Sequence, residues 1–216
     1  MDRRRVVSLL VSAGARSADA LYGDAEREAR VALSLALGRG RDAAGSEERL
    51  WQDYFDNIIR FCGVPEERVG EVSGTLRALH LEDHLMTHVP EGAGDAITKV
   101  REMGYRVGVV SNSDGRVQGL LDRVGLTPLV EFVIDSHTVG VAKPDPRIFR
   151  MGAERLGVPP ERCLYVGDLY ALDVLGARAA GLAPLLLDPF DRHADWEDVD
   201  RIRSVVELPA WLETHP

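Results

Sequence analysis

Cysteine is scarce in this 216-residue chain, and long apolar runs are absent from it. The two cysteines, Cys62 and Cys163, lie far apart, and neither belongs to a Cys-x-x-Cys or Cys/His spacing. This argues against a disulfide framework and a cysteine-based zinc site. We expect both to be small apolar core residues in a reducing compartment. No stretch approaches the roughly 20 apolar residues of a membrane span, so we expect a cytoplasmic protein.

Positive charge is also in short supply. The formal net charge is -9 and the sequence pI is about 5.2. A nucleic-acid-binding protein or one that binds an anionic membrane needs a basic face, so both classes are disfavoured. With 45% hydrophobic residues the chain can bury a core. We therefore expect a globular protein whose partner is a small molecule; the oligomeric state is left open.

The first 88 residues show helical periodicity throughout, and we predict a helical lobe there. Helices are expected over residues 5–13 and 17–37, then from a cap at Ser46 to Phe61, and from Pro65 towards His80. In the third helix, the apolar set Leu50, Tyr54, Ile58 and Phe61 recurs at three- and four-residue spacing. A turn-rich linker at residues 82–91 is predicted to end this lobe.

From Val89 onwards, short apolar segments alternate with helical ones, which predicts an α/β core over residues 89–216. Strands are expected over residues 106–110, 132–135, 163–166 and 184–187. Helices are expected over residues 92–103, 115–124, 146–156, 169–180 and 209–214. Such alternation is typical of a parallel sheet with helices on both faces.

Polar residues follow two of these strands directly. The segment VGVVSNSD runs from Val107 to Asp114, and LYVGDLYALD runs from Leu164 to Asp173. Between them lies VAKPDP, where Asp145 can cap a helix that has Pro146 at its first position. Because α/β sheets hold ligands at the carboxyl ends of their strands, these segments predict a binding or catalytic site.

In this order and spacing, VVSNSD, GVAKPDP and YVGDLYALD resemble motifs two, three and four of the haloacid dehalogenase-like (HAD) hydrolases. The resemblance covers roughly residues 89–216, and the helical lobe before it is similar to the family's cap. It implies a three-layer α/β core of Rossmann type and a Mg²⁺-dependent phosphatase that forms an aspartyl-phosphate on a small phosphorylated metabolite. A haloacid dehalogenase, a phosphomutase or an inactive phosphate- or metal-binding pseudoenzyme are the alternatives.

The resemblance also implies roles for individual residues. The Ser111 hydroxyl and the backbone N–H of Asn112 would hold a phosphoryl oxygen, and Lys143 would neutralise the phosphoryl group. Asp168 would bind Mg²⁺, and Asp173 would support the metal or orient Lys143. Hard carboxylate oxygens suit Mg²⁺, which often shares its site with a substrate phosphate.

One part of the family pattern is missing from this chain. The family's reaction begins at an aspartate in a D-x-D-G-T-like motif, on a strand that precedes the cap. Here Asp2 is followed by three arginines, and no such strand precedes the helical lobe. That strand normally lies in the middle of the sheet, between the strands that end at Ser111 and Asp168. We expect the natural protein to start a few tens of residues upstream; if it does not, the chain is an inactive relative.

Other candidates are weaker. His80, His84 and His88 recur every four residues and could form a metal-binding face if a helix continued that far. Their apolar neighbours favour an interlobe linker instead. Asp135 and His137 lie at the end of the strand predicted over residues 132–135, near the mouth of the site, and are candidates for contact with substrate.

Overall fold

The structure is a computed structural model and describes residues 1–38, 47–191 and 197–215. The chain divides into two compact units, Met1–His88 and Val89–Pro216. Ser46, predicted to cap a helix, lies outside the described residues. No helix in the described part of the chain is long and apolar enough to cross a membrane.

The first unit is helical in its described residues. Its helices are α1 (Arg3–Ser12), α2 (Ala18–Gly38), α3 (Glu47–Phe61) and α4 (Glu66–Glu82). Leu50, Tyr54 and Ile58 are all buried, and Tyr54 and Ile58 belong to one apolar cluster of this unit. Phe61, the fourth residue of that apolar set, is 43% exposed. Phe61 is the last residue of α3, where the apolar face runs out.

The second unit contains five strands and six α-helices in its described residues. The strands are β1 (Val109–Ser111), β2 (Val133–Asp135), β3 (Leu164–Gly167), β4 (Ala183–Leu187) and β5 (Arg201–Ile202). The helices are α5 (Ala93–Glu102), α6 (Val117–Arg123), α7 (Ser136–Val139), α8 (Pro146–Leu156), α9 (Leu175–Ala180) and α10 (Leu208–Thr214). This confirms the predicted α/β alternation.

Local differences from the predicted elements have physical causes. The first strand begins at Val109 rather than Arg106, and its neighbour Gly108 faces the Phe132 ring, where an added Cβ would lie 2.2 Å from the ring. The predicted helix over residues 169–180 begins as a π-turn, Tyr170–Val174, before α9. Both β5 and α7 are too short to leave a periodic signal.

All paired strands are parallel, but the backbone ladders form two separate sheets. One sheet pairs β1 with β2, and the other has the order β3-β4-β5. No backbone ladder joins β1 to β3 in the part of the chain that the structure describes. Side chains cross between the sheets instead, because one apolar cluster contains Ile134 of β2 and Phe149 of α8 with Tyr165 of β3 packed against it.

Candidate active site

The first wall of the site is the end of β1. Ser111 is the last residue of this strand and is in register with Asp135 of β2. Its Oγ lies 3.5 Å from the carbonyl oxygen of Asn112, which is too long for a strong hydrogen bond. This contact therefore holds the hydroxyl only weakly.

Asn112 ties the end of β1 to the loop that contains Lys143. Its Oδ1 accepts a hydrogen bond from the backbone N–H of Lys143 at 2.8 Å, and its Nδ2 donates to the Lys143 carbonyl at 3.1 Å. The amide side chain thus pairs with the lysine's backbone like a neighbouring strand. The Asn112 side chain therefore holds the backbone of Lys143 in place, a role that was not predicted from the sequence.

The ammonium group of Lys143 is buried. The side chain is 13% exposed, and Nζ donates to Asp173 Oδ1 at 2.7 Å and to the Tyr165 hydroxyl at 3.0 Å. Burial alone lowers the lysine pKa, but the Tyr165 oxygen and the Asp173 carboxylate outweigh it and raise the pKa above its ordinary value. Lys143 is therefore a fixed positive charge at neutral pH.

The Asp173 carboxylate binds this lysine. The residue is 2% exposed, its Oδ1 accepts from Lys143, and its Oδ2 accepts from the backbone N–H of Leu169 at 2.9 Å. A Cβ at Gly167 would lie 2.3 Å from the Asp173 Cγ, so only glycine lets the carboxylate lie against the end of β3. These contacts favour the lysine-orienting role over direct metal binding.

Asp168 follows β3 directly and is half-buried. No group of three or more His, Cys, Asp or Glu side chains among the described residues is arranged to hold a metal by itself. Mg²⁺ commonly takes one or two carboxylates and completes its shell with water and substrate phosphate. The half-buried Asp168 carboxylate, at the end of β3, fits that kind of site as a protein ligand.

Tyr165 connects the two sheets at the same place. Its hydroxyl accepts from Lys143 and donates to the backbone carbonyl of Val110 on β1 at 3.0 Å. Burial, helped by the Asp173 charge, raises the pKa of Tyr165 to about 12, although the Lys143 ammonium opposes this. The phenol is therefore neutral and can donate. Sequence reasoning missed this residue, since a tyrosine within an apolar strand reads as packing.

Two residues at the end of β2 hold the loop that follows Ser111. The buried Asp135 carboxylate accepts from the backbone N–H of Gly115 at 3.1 Å and from that of His137 at 3.0 Å. The Ser136 hydroxyl accepts from the backbone N–H of Ser113 at 3.1 Å. Asp135, a candidate for contact with substrate from its place in the sequence, therefore binds backbone N–H groups in the structure. Its position before a short helix was the available signal for capping.

Among the other candidates, Asp145 caps α8 as predicted, accepting from the backbone N–H of Arg147 at 2.9 Å. That contact and the Arg147 guanidinium lower the Asp145 pKa to about 2. The rings of His80 and His84 lie 4.1 Å apart. Each Nδ1 accepts from a backbone N–H, that of Leu85 for His80 and that of Met86 for His84.

The parallel α/β core, with two motifs at its strand ends and a third in the loop that contains Lys143, has the features of a hydrolase of the HAD type. Residues 41–181 match the family described as haloacid dehalogenase-like hydrolase. The chain belongs to this family.

Individual relatives agree with the family assignment. The chain is 33% identical over 144 residues to the haloacid dehalogenase-like hydrolase domain-containing protein 3 of Mus musculus, a match that covers 65% of this chain and 57% of that protein. It is 29% identical over 201 residues to the glyceraldehyde 3-phosphate phosphatase of Methanopyrus kandleri, covering 84% of each. The chain thus spans little more than half the length of the mouse relative.

Solved structures match the fold. The putative HAD-hydrolase YfnB from Bacillus subtilis, in a form bound to magnesium, superposes with a TM-score of 0.64 and 21% identity. The match covers 98% of this chain and 93% of that one. At this identity the likeness establishes the HAD fold and nothing further.

Proposed function

We propose that this chain forms the phosphate- and magnesium-binding part of a phosphatase that acts on a small phosphorylated metabolite. The observation that carries the proposal is the buried Lys143 ammonium, fixed by Asp173 and tied through Asn112 to the strand that ends at Ser111. A fixed cation beside a hydroxyl suits phosphoryl transfer, where charge is spread over the equatorial oxygens. The Methanopyrus kandleri relative is named as a phosphatase of a small phosphorylated sugar, which supports this substrate class.

Each side chain then has a separate task. The Ser111 hydroxyl and the Asn112 backbone N–H donate to one phosphoryl oxygen, and Lys143 neutralises the charge on another. Asp173 keeps the ammonium aimed, because both of its oxygens accept from fixed donors. We assign Asp168 as the protein ligand of Mg²⁺, which when bound would neutralise charge on the transferring group. The helical unit, residues 1–88, would act as the cap that selects the substrate.

We further propose that the nucleophilic aspartate comes from an extended segment outside these 216 residues, pairing between β1 and β3. The separation of the two sheets in the described residues supports this. The 216-residue chain alone would then turn over substrate about 10⁶-fold more slowly than the protein with its nucleophile, which is the typical loss when a nucleophile is removed.

The test compares this chain with a form extended at its amino end by the upstream codons. Hydrolysis of p-nitrophenyl phosphate is measured with Mg²⁺ and with EDTA. We expect Mg²⁺-dependent turnover from the extended form and background turnover from the 216-residue chain. In the extended form, Lys143→Met should abolish turnover, whereas Lys99→Met should retain it, because Lys99 lies on the surface and pairs with Glu213.

The other outcomes separate the alternatives. Turnover by the 216-residue chain alone would overturn the external nucleophile. Dehalogenation of a 2-haloacid without Mg²⁺ would overturn the phosphatase. Thermal stabilisation by Mg²⁺ with no turnover in either form would identify a pseudoenzyme.

A further inference from the structure

The loop after β1 contains the phosphate-binding groups of the proposed site, and its shape is set from a neighbouring strand. We propose that Asp135 and Ser136, at the end of β2, are positioning residues that hold residues 112–117 in the conformation that binds phosphate. This inference rests on the proposed function. It assigns the two residues to the loop's backbone and not to substrate.

The Asp135 carboxylate accepts hydrogen bonds from the backbone of this loop. Register with Ser111 puts Asp135 at the same edge of the sheet. The residue is 7% exposed, and a carboxylate so buried needs hydrogen-bond donors. Its Oδ2 accepts from the backbone N–H groups of Gly115, at 3.1 Å, and Val117, at 3.5 Å. Its Oδ1 accepts from the N–H of His137 at 3.0 Å, which keeps the carboxylate from rotating.

Ser136 fixes one residue of the loop from both sides. Its Oγ accepts from the backbone N–H of Ser113 at 3.1 Å and donates to the Ser113 carbonyl at 3.3 Å. One hydroxyl therefore satisfies the donor and the acceptor of a single peptide residue. Because Ser113 lies two residues after Ser111, a shift of Ser113 moves the hydroxyl and N–H groups that face phosphate.

A glycine within the loop allows this shape. Gly115 adopts φ of +92°, a conformation that glycine alone enters without strain. Asn112, whose amide pairs with the Lys143 backbone, anchors the residue before Ser113. Ser111 and Asn112, which carry the phosphate-facing groups, therefore directly precede the residue that Ser136 holds. A displacement of about 1 Å in such groups can cost up to roughly 100-fold in function.

The test uses the 216-residue chain and inorganic phosphate as the ligand. The dissociation constant of phosphate is measured by isothermal titration calorimetry with Mg²⁺ present, well below the unfolding midpoint. Exchange of the Ser113 and Gly115 amide hydrogens is followed by NMR. For Ser136→Ala we expect about a tenfold weaker affinity and at least about tenfold faster exchange at Ser113.

Three further variants separate positioning from general damage. Ser136→Thr keeps the hydroxyl and should restore both values. Asp135→Asn leaves one acceptor oxygen where the backbone N–H donors now bond to two. It should therefore weaken phosphate binding and speed hydrogen exchange at the Gly115 amide. Ser204→Ala is the matched control, since Ser204 caps a 3₁₀ turn by accepting from Val206 N at 3.2 Å, and should change neither value.

The outcomes distinguish this inference from the function on which it rests. Phosphate binding by the wild-type chain that is unchanged in Ser136→Ala and Asp135→Asn would overturn the positioning role alone. Failure of the wild-type chain to bind phosphate would overturn the proposed function and this role together. An equal loss of affinity in Ser136→Ala and Ser136→Thr would also overturn the role, since the hydroxyl would then be irrelevant.

Discussion

Asp173→Asn should destabilise the α/β unit strongly. The Lys143 and Asp173 side chains are 13% and 2% exposed, and their charged atoms are 2.7 Å apart. Removing one partner of such a buried pair typically costs about 3–5 kcal/mol, because the remaining charge stays buried without compensation. Against a total stability of about 5–15 kcal/mol, that is a large share.

The geometry adds to this cost. Both oxygens of Asp173 accept hydrogen bonds, one from the lysine and one from the Leu169 N–H. Asparagine offers one acceptor oxygen and an NH₂ group, so in either orientation a donor faces a donor. Rotation of the side chain cannot repair the substitution.

The assay is urea unfolding of Asp173→Asn, Lys143→Met and the double variant. We expect the double variant to lose less stability than the sum of the two single losses, by at least about 1 kcal/mol, since the second substitution removes the stranded partner. The control is Glu131→Gln, which breaks the exposed Glu131–Arg106 pair. Strict additivity in the cycle, or an Asp173→Asn effect no larger than that of the control, would refute the reasoning.

Three further predictions follow from contacts around the same site and core. Tyr165→Phe removes a hydroxyl that accepts from Lys143, and should lower the free energy of unfolding by about 1–3 kcal/mol; an unchanged urea midpoint would contradict this. Gly167→Ala places a Cβ 2.3 Å from the carboxylate that holds the lysine, and should cost about 1–3 kcal/mol in urea unfolding, whereas Gly119→Ala, with open space around it, should cost nothing. Burial raises the pKa of the Cys62 thiol to about 11, above the ordinary value of about 8.5, because the folded state favours the neutral thiol. The neutral buried thiol therefore stabilises the fold fully below pH 8.5, and this stabilisation is lost as the pH rises towards 11. At pH 8 iodoacetamide should modify Cys62 at least about 100-fold more slowly in the folded than in the urea-unfolded chain, and equal rates by peptide mass spectrometry would contradict this.

Several parts of the fold and site could be predicted from the sequence. Apolar runs that end in polar turns predict strands with side chains at their carboxyl ends, and parallel pairing brings those ends to one edge. Asp145 and Pro146 predicted the start of α8, because capping depends only on neighbouring residues. The resemblance implied that Asp173 supports the metal or orients Lys143, and the structure places its carboxylate in contact with Lys143.

Other features depend on contacts that a single sequence does not contain. That Asp135 binds the loop after β1 follows from the register of β1 with β2, and register is a property of two strands together. The bond from Tyr165 to Val110 joins residues 55 positions apart. The two residues of β5 are too few to show alternation. In each case the deciding partner is distant along the chain.

Because the strands form two separate sheets, the motif residues also contribute to the stability of the fold. In many enzymes, active-site residues reduce stability, and replacing them strengthens the fold. Here Lys143 and Tyr165 are among the ties between two sheets that share no backbone ladder in the described residues. Substitution of Lys143, Asp173 or Tyr165 would therefore weaken the contact between the two sheets as well as alter the candidate site.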